Sequence, residues 1–133
     1  MMLAMMSPMS PRVLIVEDEF LVRLTLSEAL SDDGFDVLEA GSGDEALALI
    51  GDDSRLDLLL TDMQLPGSTN GRTLAARARE HSPDLPVIFM SGRPSDDSDS
   101  DSRACDLFIS KPYLPSEICA AVRRLTNRSN AGT

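Results

Sequence analysis

The chain is short of basic and aromatic side chains, and each shortage excludes something. Its 133 residues hold no tryptophan, one tyrosine, one histidine and, among twelve basic residues, a single lysine, Lys111. Against twenty-two acids this leaves a formal net charge of −10. Such a balance repels phosphate backbones, so nucleic acid is not an expected partner. Cysteine is scarce too: Cys105 and Cys119 stand with no second pair and no neighbouring histidine, which speaks against a zinc site and for reduced thiols. No apolar run approaches the length of a membrane span. The Met-rich start lacks both the basic and the apolar region of a signal peptide. A cytoplasmic protein without a membrane partner is expected.

The length suits one domain, expected over residues 11–127 between a loose N-terminal tail, 1–10, and a frayed C-terminal tail, 128–133. Four apolar runs read as strands: Val13 to Val16, Leu56 to Leu60, Leu85 to Met90 and Leu107 to Ile109. They are continuous rather than alternating, as strands covered on both faces are. Asp36 to Ala40 is a weaker fifth, suited to an edge. Between the strands lie helical patterns. Phe20 to Leu30 places Leu21, Leu24 and Leu26 on its apolar side and ends at Gly34, a C-cap. Asp44 to Ile50 carries acids in its first turn. Arg72 to His81 and Pro115 to Asn127 follow, the last opened by proline.

This alternation predicts an α/β fold built of right-handed βαβ units. Five strands in so short a chain suit a flavodoxin-like, doubly wound parallel sheet in the order 2-1-3-4-5. One segment breaks the pattern. From Arg93 to Ala104, eight of twelve residues are serine or aspartate, and none of them defines an apolar helix face. A weak or irregular fourth helix is expected there, between the fourth and fifth strands.

In open parallel sheets ligands bind beyond the carboxyl ends of the strands, near the point where strand order reverses. Here the first strand runs into Glu17, Asp18 and Glu19, the third into Asp62, the fourth into Ser91 and Gly92, and the fifth into Ser110, Lys111 and Pro112. Three carboxylates, a hydroxyl and an ammonium are thereby predicted to share one mouth. Carboxylates about 4 Å apart repel by about 4 kcal/mol per pair at an effective dielectric near 20. A hard divalent cation removes that conflict, and Mg²⁺ favours one or two carboxylates together with phosphate oxygens. Lys111 is placed to pair with a phosphoryl group on Asp62, and Ser91 to donate a hydrogen bond to it. Transfer to a carboxylate asks for positioning and charge neutralisation rather than a strong base.

These residues are where the chain resembles the response-regulator receiver domains of two-component signalling. The matching stretches are Val13 to Glu19, Ala40 to Leu47, Asp57 to Asp62, Leu65 to Gly67 with Gly71, Pro83 to Ile88, Ser91-Gly92 and Lys111 to Tyr113, covering roughly Pro11 to Thr126. The resemblance implies that Asp62 accepts a phosphoryl group from a histidine kinase or a histidine phosphotransfer protein. It implies Mg²⁺ or Mn²⁺ held by Asp18, Asp62 and the Gln64 backbone carbonyl, with Glu17 joining directly or through water. The backbone N–H groups of Gln64 and Gly92 would face the phosphoryl oxygens, and Ser91 and Phe108 would move together as a switch. It further implies a bacterial signalling protein, with no turnover of a separate substrate, whose output is contact with a downstream protein of unknown identity. Three features depart from the family pattern. Glu17 stands where aspartate is commoner, the loop from Pro66 to Gly71 is one residue longer, and the serine- and aspartate-rich segment falls where an output helix belongs.

Other readings compete. Gly41 to Ala46 fits the G-x-G-x-x-A pattern of a dinucleotide site, but Asp44 and Glu45 would stand where a pyrophosphate must sit. An aspartyl phosphatase resembling the haloacid dehalogenases would carry a second aspartate at position 64, where this chain has Gln64. His81, the sole histidine, precedes Pro83 near a helix end and reads as surface decoration. Within the favoured reading, the Met start and an end just past the last helix point to a single-domain regulator. The alternatives there are a receiver module of a hybrid kinase and a phosphate sink.

Overall fold

Val13 to Val16, Leu58 to Leu60 and Val87 to Met90 are apolar at every consecutive position, so none of these segments has a face to offer to water. The computed structural model, which describes residues 10–51, 55–92 and 106–127, buries all of them. Its strands are β1 (Arg12–Val16), β2 (Asp36–Ala40), β3 (Leu58–Asp62), β4 (Val87–Ser91) and β5 (Asp106–Ser110). They pair in parallel in the order β2-β1-β3-β4-β5. Among the described residues there are four helices, α1 (Phe20–Asp32), α2 (Gly43–Ile50), α3 (Gly71–His81) and α4 (Pro115–Asn127). This is the doubly wound flavodoxin-like sheet that the sequence predicts. The segment expected to hold a weak fourth helix lies outside the described residues, as do both tails except Ser10, whose carbonyl accepts from Arg55.

Two apolar layers sandwich the sheet. On one face Leu26 and Leu30 of α1 and Ile118, Val122 and Leu125 of α4 pack on Val13, Ile15, Leu58 and Leu60. On the other, Ala46 of α2 and Leu74, Ala75 and Ala78 of α3 cover Leu14, Val16, Leu59 and Phe89. At the amino ends of the strands a buried ion pair closes the structure. The Arg79 guanidinium of α3 bonds the Leu85 carbonyl through Nε (3.1 Å) and Nη2 (2.8 Å), and Nη2 reaches Asp106 at the start of β5 at 2.7 Å.

Two expectations need correction. Strands β3 and β4 start two residues later than the apolar runs and continue further, to Asp62 and Ser91. Leu85 is buried, but in a turn whose N–H donates to the Ser82 carbonyl, so burial there does not mean strand. The apolar side of α1 is also misplaced: Leu21 is 72% exposed and Leu24 only half-buried. The buried stripe runs through Val22, Leu26, Ala29 and Leu30. That spacing follows the helical period, and Leu21 stands about 100° around the axis from Val22. The predicted end of α1 does hold. Gly34 takes φ 95°, its N–H donates to the Ser31 carbonyl, and the Phe35 N–H donates to Leu30, which satisfies the final carbonyls of the helix.

Candidate metal and acceptor site

Each crossover leaves the sheet at the carboxyl end of a strand, so the residues just past β1, β3, β4 and β5 face one another. Beyond β1 the Glu17 N–H still pairs with the Ala40 carbonyl of β2 at 3.1 Å, which carries the chain one more residue into the interior. Glu17 is therefore 1% exposed. Its Oε2 accepts from the Glu19 N–H at 3.1 Å. Its Oε1 is, among the described residues, the one buried side-chain polar atom with no hydrogen-bond partner. Asp18, next along, is exposed. Asp62 closes β3 and is 4% exposed. Its Oδ1 accepts from the Gln64 N–H at 3.0 Å and its Oδ2 from Lys111 Nζ at 2.8 Å. Lys111 follows β5, where its own N–H donates to the Ser91 carbonyl at 2.8 Å.

Glu17, Asp18 and Asp62 each offer an oxygen within 4.8 Å of the other two. The crowding shows in the titration of the groups. Burial, with the Asp62 charge adding to it against the Glu19 N–H and the Lys111 charge, pushes the Glu17 carboxyl up from 4.5 to about 7. Burial alone pulls the Lys111 ammonium down, but the hydrogen bond and charge of Asp62, with Glu17 and Glu19 behind it, outweigh this and hold it above its ordinary value. Tyr113 is pushed up to about 12, by burial first and then by Glu17, Asp62 and Glu19. The donor set is all oxygen and anionic, with the Lys111 ammonium beside it, which fits a hard divalent cation.

Of the other predicted residues, Ser91, Gly92 and Gln64 stand at the same strand ends, whereas Phe108 lies two residues inside the end of β5. Ser91 is buried at the end of β4, opposite Ser110, and Gly92 and Gln64 are exposed beside it. Phe108 is half-buried on β5 and stacks on Phe89, its register partner, with centroids 5.1 Å apart and planes at 21°. His81 ends α3 at the surface. The sequence did not disclose Arg72, whose guanidinium lies 5.7 Å from the Phe89 centroid and 5.6 Å from that of Phe108. Nor did it disclose how the long loop after β3 is held. There the buried Thr69 donates to Asp44 of α2 at 2.9 Å, and a Cβ on Gly43 would come within 2.4 Å of the Thr69 carbonyl. The glycine that completed a dinucleotide-like pattern thus serves packing between α2 and that loop.

The profile of the response regulator receiver domain matches residues 13–123. The chain belongs to that family. Receiver domains are signalling modules of bacterial two-component systems, and the fold and the acidic pocket agree with the assignment. The aerobic respiration control protein ArcA of Escherichia coli (strain K12) is 35% identical over 130 residues, a match that takes in 93% of this chain and 52% of ArcA. This receiver thus spans about half the length of the curated relatives it matches. A response regulator receiver protein from Sinorhizobium medicae superposes with a TM-score of 0.84 at 26% identity, over 91% of this chain and 98% of that one. The Thermotoga maritima response regulator TrrA, solved with Mg²⁺ and BeF, gives 0.76 at 30% identity, over 86% and 98%. Among the described residues no helix is long and apolar enough to cross a membrane.

Proposed function

We propose that this receiver accepts a phosphoryl group on Asp62 from the phosphohistidine of a histidine kinase or a histidine phosphotransfer protein. It then signals through a changed protein-binding surface. The observation that carries this reading is Lys111 Nζ at 2.8 Å from an Asp62 carboxylate that shares its pocket with Glu17 and Asp18. Glu17, Asp18, Asp62 and the Gln64 carbonyl would hold Mg²⁺ or Mn²⁺. The unpartnered, buried Glu17 Oε1 supports that choice, because an anionic oxygen kept from both water and donors lacks only a cation. When bound, the cation supplies the charge that lets phosphoryl oxygens approach this many carboxylates.

The protein side of the reaction follows from the side chains present. An Asp62 oxygen forms the new bond to phosphorus as the phosphorus–nitrogen bond of the donor breaks, and the departing imidazole takes up a proton. Lys111 pairs with Asp62 beforehand and with the added phosphoryl charge afterwards. The Ser91 hydroxyl and the N–H groups of Gln64 and Gly92 serve as donors to the phosphoryl oxygens, and Ser91 and Phe108 form the switch. The site promotes its own phosphorylation and dephosphorylation and turns over no separate substrate. Its donor is a protein, a reading supported by the rim of the pocket: Phe20, Leu21 and Leu114 are 59%, 72% and 64% exposed. Leu21 also lines a cavity of about 520 Å³ that reaches Glu17, Lys111 and Tyr113. Exposed apolar side chains beside a reactive group are a usual mark of a partner surface.

Acetyl phosphate with Mg²⁺ is expected to add one phosphoryl group to the chain, visible by intact-mass measurement, and Asp62→Asn is expected to take up none. Stoichiometric labelling of that variant would place the acceptor elsewhere. Phosphotransfer profiling against the host's histidine kinases then separates a single-domain regulator with its own kinase from a hybrid-kinase module or a phosphate sink.

A further inference from the structure

The acidic loop is gripped from behind by a side chain outside the carboxylate cluster. Arg23 sits in the first turn of α1 and is 18% exposed. Its Nη1 donates to the Glu17 backbone carbonyl at 2.8 Å, while its Nε bonds the Glu39 carboxylate of β2 at 3.1 Å. Its Cζ lies 5.6 Å from the Phe20 ring centroid. A Cβ at Gly41 would come within 3.2 Å of Nη1, so a glycine there leaves the guanidinium its room. One planar fork thus ties the loop after β1 to the end of β2 and to α1.

The carbonyl that Arg23 holds belongs to the peptide joining Glu17 to Asp18. Because a peptide is planar, fixing its oxygen fixes the direction in which the chain leaves Glu17 and enters Asp18. We propose that Arg23 is a positioning residue, which orients the Glu17–Asp18 peptide so that both carboxylates converge with Asp62 on one divalent cation. The proposal rests on the metal reading given above. Independent support comes from Glu17 itself. Among the described residues its Oε1 has no partner, and its Oε2 accepts from the nearby Glu19 N–H. The carboxylate therefore depends on the backbone beneath it for its direction.

Charge and position make opposite predictions here. The Arg23 cation repels a divalent ion, so on charge alone its removal tightens binding. On position its removal weakens binding. Calorimetric titration of the metal-free full chain with Mg²⁺ is expected to show about tenfold weaker affinity for Arg23→Gln, the size of effect seen when groups behind metal ligands are removed. Arg23→Lys keeps the charge but cannot bond two acceptors as a planar fork does, and it is expected to weaken binding as well. In the metal-free protein the Glu19 N–H is expected to exchange faster with solvent in both variants, a readout independent of the ion. Thermal unfolding checks that each variant is folded, and Arg23→Lys carries the test if Arg23→Gln is not. Equal or tighter Mg²⁺ binding by a folded variant, with wild-type binding intact, overturns the role of Arg23 alone. A wild type that binds no Mg²⁺ sinks the metal reading and this proposal together.

Discussion

Glu17 keeps an ionisable carboxyl 1% exposed with one oxygen unbonded among the described residues, and that arrangement opposes folding whenever the group is charged. Its raised pKa gives the sign. The folded state binds the Glu17 proton more tightly than the unfolded chain does, so in metal-free protein stability falls as pH rises from 4.5 to about 7 and stays low above it. Glu17→Gln removes the charge. The variant is expected to match wild type near pH 4 and to exceed it at pH 8 by roughly 1–3 kcal/mol in urea unfolding without metal, while losing affinity for Mg²⁺. A variant less stable than wild type at pH 8 would show that the carboxylate has a partner after all. At this scale much of the centre was legible in the sequence. Glu17, Asp62 and Lys111 announce themselves because strand ends point to one mouth and lysine occurs once. Arg23 and Arg72 do not. A bond from Arg23 to a backbone carbonyl and a seat for Arg72 over two rings leave no mark in the string, and nine other arginines look the same.

The first residue of α3 lies against the backbone of the acceptor, and Gly71 permits it. A Cβ at Gly71 would lie 2.5 Å from the Asp62 carbonyl oxygen and 3.0 Å from Met63 Cα, both backbone atoms that cannot swing away. Gly71→Ala is therefore expected to push the start of α3 off the end of β3. The expected cost is about 1–3 kcal/mol of stability in denaturant melts, with slower phosphorylation from acetyl phosphate. An alanine variant as stable and as fast as wild type would mean that the helix is free to shift. The order of elements could be read from apolar runs and the helical patterns between them, with the edge strand β2 the weakest signal. Element boundaries were less legible. Leu85 is buried in a turn, Leu56 is half-buried just ahead of β3, and Leu21 is a leucine the fold leaves in water. Burial in a strand and burial beside one have the same composition.

On the scale of the whole molecule, the two ends of the sheet treat charge differently. At the amino ends Arg79 and Asp106 neutralise each other out of water, at 6% and 4% side-chain exposure. At the carboxyl ends three acids meet a single ammonium. Binding a divalent ion to the native state alone must then raise stability, by about 2.7 kcal/mol when the free ion is a hundredfold above its dissociation constant. Thermal unfolding in Mg²⁺ is expected to come several degrees higher than in NaCl of equal ionic strength. Identical midpoints in the two salts would leave the acidic end without its ion. The contrast between the ends also limits where the molecule can respond. The Arg79–Asp106 pair clamps α3 to the start of β5 at the end away from Asp62. A disturbance introduced at Asp62 therefore begins where the charges are unbalanced, at the end of the sheet opposite that clamp.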